Sequence, residues 1–125
     1  MNFEQARLRA RQYLKAAMKE PTSTAYVVAG TMDLTLRQWD KAISQYEKAL
    51  ALDSNDPLCN RGLGMALIYS GKPKEGMEYV KSAMKLDPLN PARYLFGIGL
   101  AHFCMGEWQE AVAACEKAME LNADI

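Results

Sequence analysis

The sequence predicts an all-α chain built as a solenoid of stacked helical hairpins, and three observations predict it. A frame recurs in "RQWDKAISQYEKALALD" (37–53), "GKPKEGMEYVKSAMKLD" (71–87) and "GEWQEAVAACEKAMELN" (106–122). Trp39, Pro73 and Trp108 correspond, as do Tyr46, Val80 and Cys115, then Leu52, Leu86 and Leu121, at spacings of 34 and 35 residues. Periods of that size mark stacked units that cannot each bury their own faces. Helix punctuation recurs too: Asp56-Pro57 and Asn90-Pro91 each put a capping side chain before a proline that can take the first helical position. Small residues also repeat, with Gly30, Gly64 and Gly99 opposite Ala42, Gly76 and Ala111, and with Ala49, Ala83 and Ala118 further on. A helix-interior glycine costs about 1 kcal/mol relative to alanine, so three at one repeat position point to close packing.

Taken in order, residues 2–19 read as one helix with Phe3, Ala6, Ala10, Leu14, Ala17 and Met18 on a face. Ala10 and Ala17 stand seven apart, like Ala42 and Ala49. Residues 1–20 are therefore expected to form an N-terminal capping helix or degenerate half repeat. The first repeat, 23–56, pairs roughly 23–36 with 38–52. The second, 57–90, runs from Pro57 to Gly71, which can adopt the left-handed conformation that ends a helix. It turns at Lys72-Pro73, and Met77, Val80, Ala83, Met84 and Leu86 then recur at helical spacing up to Asp87-Pro88. The third, 91–125, pairs 91–105 with 107–121. Met77, Met84 and Met119 fall on the expected core faces, where methionine packs.

The bulk composition excludes more than it identifies. The chain has 125 residues, half of them hydrophobic, and 15 basic against 15 acidic groups, so it offers no general attraction to nucleic acid or an anionic membrane. Charge is uneven, however: Arg7, Arg9, Arg11, Lys15 and Lys19 face only Glu4 and Glu20 in residues 1–20, while residues 106–125 carry five acids against Lys117. Solvated helix faces are the plainer reading, and attraction between the ends of different molecules is the other. No apolar run approaches the ~20 residues that span a bilayer. The N-terminus has no continuous apolar core of a secretory signal, and Glu4 with no serine before Ser23 argues against a transit peptide. Three cysteines at unlike repeat positions suit reduced thiols in a cytoplasmic protein.

Catalytic and metal readings find little to hold. His102 and Cys104 are two apart, so on a helix they point about 200° away from each other, and Cys115 occupies a core position. The same geometry denies a Cys/His nucleophile its cleft. Glu47-Lys48 and Glu116-Lys117 lie on outer helix faces. "GLGMA" sits inside a helical pattern without the strand and lysine of a phosphate loop. The chain is expected to be no enzyme and to bind no cofactor or metal.

With Tyr26 or Tyr94 early, Trp39 or Trp108 opening the second helix, and "EKALALD", "KSAMKLDP" and "EKAMELN" closing it, residues 23–125 resemble the tetratricopeptide repeat (TPR). Departures are Asn60 for a bulky aromatic, Gly76 for alanine, and Ser54 and Ala123 for the closing proline. The resemblance implies a right-handed superhelix whose first helices line a concave groove. On that reading the groove residues are Val27 and Thr31, then Arg61, Met65 and Tyr69, then Arg93, Phe96 and Leu100. The remaining groove positions on that reading are Thr24, Leu34, Thr35, Leu58, Ile68, Phe103 and Cys104, with packing between repeats the alternative for Ile68 and Phe103. Family members that hold a chaperone tail use two lysines, two asparagines and an arginine; the matching positions here are Val27, Thr31, Gly62, Arg93 and Gly97, of which one could serve.

The resemblance thus implies a protein–protein interaction scaffold, whose expected ligand is an amphipathic helix or extended peptide with large apolar anchors and an acid for Arg61 or Arg93. RNA is disfavoured by so few groove cations. Two alternatives stand beside it. One is self-assembly as a homo-oligomer through an uncapped C-terminal face. The other is a regulatory appendage, since 71–112 looks like the repeats behind catalytic domains of bacterial nucleotide cyclases.

Overall fold

The computed structural model describes residues 1–122, so Ala123 and the end of the third repeat lie outside the described residues. Seven helices follow one another: α1 (Phe3–Ala17), α2 (Ser23–Thr35), α3 (Trp39–Leu52), α4 (Pro57–Tyr69), α5 (Pro73–Leu86), α6 (Pro91–Cys104) and α7 (Trp108–Asn122), with no strand among the described residues. Their starts follow local chemistry. Asn2 and Gln5 form a reciprocal capping box on α1. Thr22 accepts from the Ala25 N–H, and Asp56 accepts from the Leu58 N–H with Pro57 in the first turn. Asn90 departs from expectation. It leaves α6 without a side-chain cap and instead donates its amide to Asp87 Oδ1 at 2.9 Å.

The first helix of every hairpin stops in the same way. Arg37, Gly71 and Gly106 each adopt positive φ, at 60°, 97° and 75°. The next residue's N–H then reaches back to Asp33, Leu67 and His102 carbonyls respectively, closing the turn that satisfies the last free carbonyls. The first repeat makes this turn with arginine where the others use glycine.

Helices α2/α3, α4/α5 and α6/α7 form hairpins, while α3 packs on α4 and α5 on α6. The first helices also touch in sequence, α2 with α4 and α4 with α6, and so form one row. Tyr46, Leu63, Ala66 and Leu67 fill the first junction, and Ile68, Met77, Val80, Tyr94, Ile98 and Ala101 fill the second. Burying an aliphatic or aromatic side chain contributes about 1.5–3 kcal/mol. Ala49, Ala83 and Ala118 are wholly enclosed, as their shared repeat position implies.

The glycines divide into two kinds of close approach. Gly64 and Gly76 face each other across hairpin two, where a Cβ at Gly64 would come 2.7 Å from the Gly76 carbonyl oxygen. At hairpin three Gly99 meets Cys115 Sγ and the Ala111 carbonyl. Gly30 faces the Tyr46 ring rather than Ala42, because that ring is the bulkiest group at its repeat position. The same ring fills the space beside Gly62, on the next hairpin.

Two departures from the repeat pattern compensate each other. Asn60 is buried where an aromatic is usual, and its side-chain amide donates to the Ser54 and Asp56 carbonyls. It therefore ties down the turn that lacks the closing proline at Ser54. Helix α1 behaves differently from the hairpins. It touches only α2, buries no residue, and leaves Ala10 and Ala17 exposed, with Leu14 and Met18 half-covered. Met119, read from the pattern as core, is exposed because no helix among the described residues covers that side of α7. None of the described helices is long and apolar enough to cross a membrane.

Candidate functional site

The row α2–α4–α6 carries every residue expected to line a groove, because positions three and four apart on one helix share a face. Their surroundings differ. Val27 is half-buried against the Tyr46 cluster. Thr31 is exposed, but its hydroxyl bonds both the Val27 carbonyl and the Tyr46 hydroxyl at 2.9 Å. Met65 is half-buried with its sulfur against Gly97. Tyr69 is 48% exposed with one ring face stacked on Trp39, centroids 5.6 Å apart and planes 17° from parallel. Leu58 and Phe96 are also largely exposed.

The structure brings Arg61, Arg93 and Phe96 together around a cleft of about 690 Å³ that Leu89 and Leu121 also line. Val27, Thr31, Met65 and Tyr69 do not line this cleft. Arg61 is half-buried and its Nε is enclosed without a hydrogen-bond partner. Arg93 is exposed and lies 3.8 Å from Asp87 Oδ2. Asp87 also accepts a 2.6 Å bond from the Tyr94 hydroxyl and one from Asn90. Those two bonds, with the nearby Arg93 charge, hold the Asp87 carboxyl below its ordinary pKa. Burial and the Asp87 charge push the Tyr94 phenol up. Tyr94 thus anchors the carboxylate that positions Arg93 at the cleft mouth.

A second cleft, of about 490 Å³, lies between α6 and α7 and is lined by Phe96, Leu100, Phe103, Val112 and Cys115 among others, almost wholly apolar. Phe96 and Leu100 belong to it, and Phe96 is shared by both clefts. Ile68 packs between repeats, whereas Phe103 is open, with its ring edge on Trp108. Sequence reading assigned Val112 no site role; its equivalence to Met77 in the repeat frame was the available signal. Gly62 and Gly97 are consumed by packing against Tyr46 and against Val80 with Met65.

The remaining chemistry is sparse. His102 Nδ1 bonds Glu107 Oε1 at 3.0 Å, and no three His, Cys, Asp or Glu side chains among the described residues come together as a metal site. Burial and the Asp56 carboxylate push the Cys59 thiol up to about 11, so it stays protonated and unreactive.

An all-α stack of three hairpins with an open row of first helices and an apolar cleft at its end defines a helical repeat protein. The tetratricopeptide repeat family model matches residues 92–125. Small glutamine-rich tetratricopeptide repeat-containing protein 2 of Mycosarcoma maydis is 30% identical over 93 residues, covering 74% of this chain and 26% of the relative. The heat-shock protein cognate co-chaperone sgt12 of Aspergillus fumigatus is 28% identical over 120 residues, covering 96% of this chain and 35% of the relative. The structure of YrrB, described as a TPR protein with an unusual peptide-binding site, superposes with a TM-score of 0.79 at 20% identity, covering 97% of this chain and 63% of that one. The chain belongs to the tetratricopeptide repeat family. It spans about a quarter to a third of the length of the curated relatives it matches.

Proposed function

We propose that the chain is a protein-interaction scaffold that holds a peptide or helix with large apolar anchors along the α2–α4–α6 row. The observation that carries this is the cleft where the arginines Arg61 and Arg93 flank the exposed ring of Phe96. An apolar anchor would pack on Phe96 and Leu100. An acid beside it would pair with the half-buried Arg61 guanidinium, a charge-assisted bond contributing about 1.5–3 kcal/mol. Tyr69 and Leu58 extend the apolar row from the second repeat. Val27 and Thr31 mark its N-terminal end with an apolar side chain and a hydroxyl already engaged by Tyr46.

One relative is a heat-shock co-chaperone, which makes a terminal carboxylate the natural competitor as ligand. The positions that a carboxylate clamp would use argue against it here. Val27 cannot donate, and Gly62 and Gly97 have neither a side chain nor space for one. Only Arg93 retains suitable chemistry.

Selection of displayed random peptides on the immobilised chain tests the proposal. Expected winners pair a large apolar residue with a neighbouring acid. Phe96→Glu should abolish their binding. Arg61→Gln with Arg93→Gln should keep the apolar preference, lose the acid preference and weaken binding by about ten- to a hundredfold. Winners that require a free terminal carboxylate, or that bind Phe96→Glu undiminished, would overturn it.

A further inference from the structure

The cleft between α6 and α7 is the third copy of a seat that is already filled twice within the chain. Phe103, Val112 and Cys115 correspond to Ile68, Met77 and Val80, which are covered at the preceding junction. Ile68 is 2% exposed beneath that junction and Phe103 is 58% exposed; Met77 is 8% exposed and Val112 is 56% exposed. Val80 is sealed against Gly97, while Cys115 lines the open cleft. Trp39 is covered by Tyr69 from the following hairpin, and Trp108 is exposed. At both filled seats the occupant is a helix that presents small residues to its host, Gly62 and Ala66 on α4 and Gly97 and Ala101 on α6.

Helix α1 has the features of such an occupant. Its Ala6, Ala10, Tyr13 and Ala17 recur at spacings of four, three and four, forming a stripe that the stack leaves open. The charges agree as well. Glu116 borders the apolar row of α7 beside Val112 and Met119, with Glu120 one turn on, and all are exposed. Helix α1 carries Arg7, Arg9, Arg11 and Lys15 against Glu4. Since α1 touches only α2 of its own chain, it can bridge to another molecule without dismantling a hairpin.

We infer that the α6/α7 seat receives α1 of a second copy, joining molecules head to tail. The contact is heterologous: each molecule offers one seat and one basic helix, so the association extends rather than closing as a pair. It adjoins the arginine cleft, with which it shares Phe96.

Sedimentation of the full chain over a hundredfold concentration range, with two single variants, tests this. Wild type should grow in mass with concentration and shrink at high salt. Val112→Glu spoils the seat and Ala10→Glu spoils the helix; both positions are exposed, and helical content by circular dichroism checks that folding is intact. Each variant alone should sediment as a monomer, and their equimolar mixture should form dimers and nothing larger, because one intact seat meets one intact helix. A monomeric wild type overturns the inference. So does an Ala10→Glu variant that still associates, which would indicate two α7 faces meeting each other, and so does a mixture that stays monomeric.

Discussion

Replacing Gly62 by alanine should destabilise the protein even though alanine is the better helix former. The added methyl would lie 2.6 Å from Cδ1 and 2.8 Å from Cζ of Tyr46, against about 3.5–4.0 Å for an unstrained carbon contact. The ring has nowhere to go. It is 2% exposed, α2 crowds its far side at Gly30, and its hydroxyl is bonded to Thr31. Helices α3 and α4 must therefore separate, an overpacking cost of about 2–3 kcal/mol. Helix propensity returns about 1 kcal/mol, leaving a net loss of about 1–2 kcal/mol. For a chain of this size about 1 kcal/mol corresponds to about 4 °C, so the melting temperature should fall by about 4–8 °C. Thermal and urea denaturation followed by circular dichroism read this directly. In a Tyr46→Val background, which copies the Val80 and Gly97 junction, the same alanine should become neutral or stabilising. A Gly62→Ala protein as stable as wild type, or more so, would refute the packing account of the first junction.

Two further outcomes follow from single residues. Arg37 holds the left-handed conformation that costs an L-residue about 1–2 kcal/mol. Arg37→Gly should gain about 0.5–1 kcal/mol after the extra unfolded-state entropy of glycine, raising the melting temperature by about 2–4 °C. Asp87 is held below its ordinary pKa when folded, by Tyr94 and Asn90 first and then Arg93. The folded state therefore binds fewer protons than the unfolded one, so the stabilisation is present above the ordinary carboxylate range. It is lost as pH falls from about 4 through the depressed value. Asp87→Asn should lower the urea midpoint at pH 7 and approach wild type as pH falls through the depressed value; equal midpoints at pH 7 would remove Asp87 from the network.

Much of the architecture was legible because its causes are local or periodic. The 34- and 35-residue frame, the proline-led starts at Pro57 and Pro91 and the stop at Gly71 depend on neighbours in the chain. The left-handed stop at Arg37 was not legible, since nothing in an arginine announces positive φ; only the equivalence with Gly71 and Gly106 points to it. Asn60 read as a departure from the pattern, and the structure gives it a task in holding the turn at Ser54.

The sequence by itself determined which residues share a face within each helix, because 3.6 residues per turn is a property of the backbone; setting Val27, Thr31, Arg61, Met65, Tyr69, Arg93, Phe96 and Leu100 along one groove is what the resemblance to the tetratricopeptide repeat implies. Only the tertiary structure decided which of them remain free. Thr31 is taken by Tyr46 and one face of Tyr69 by Trp39, while Arg61, Arg93 and Phe96 converge on one cleft and Phe103 stays open. Exposure depends on which side chains arrive from other helices, and those contacts join residues a whole repeat apart.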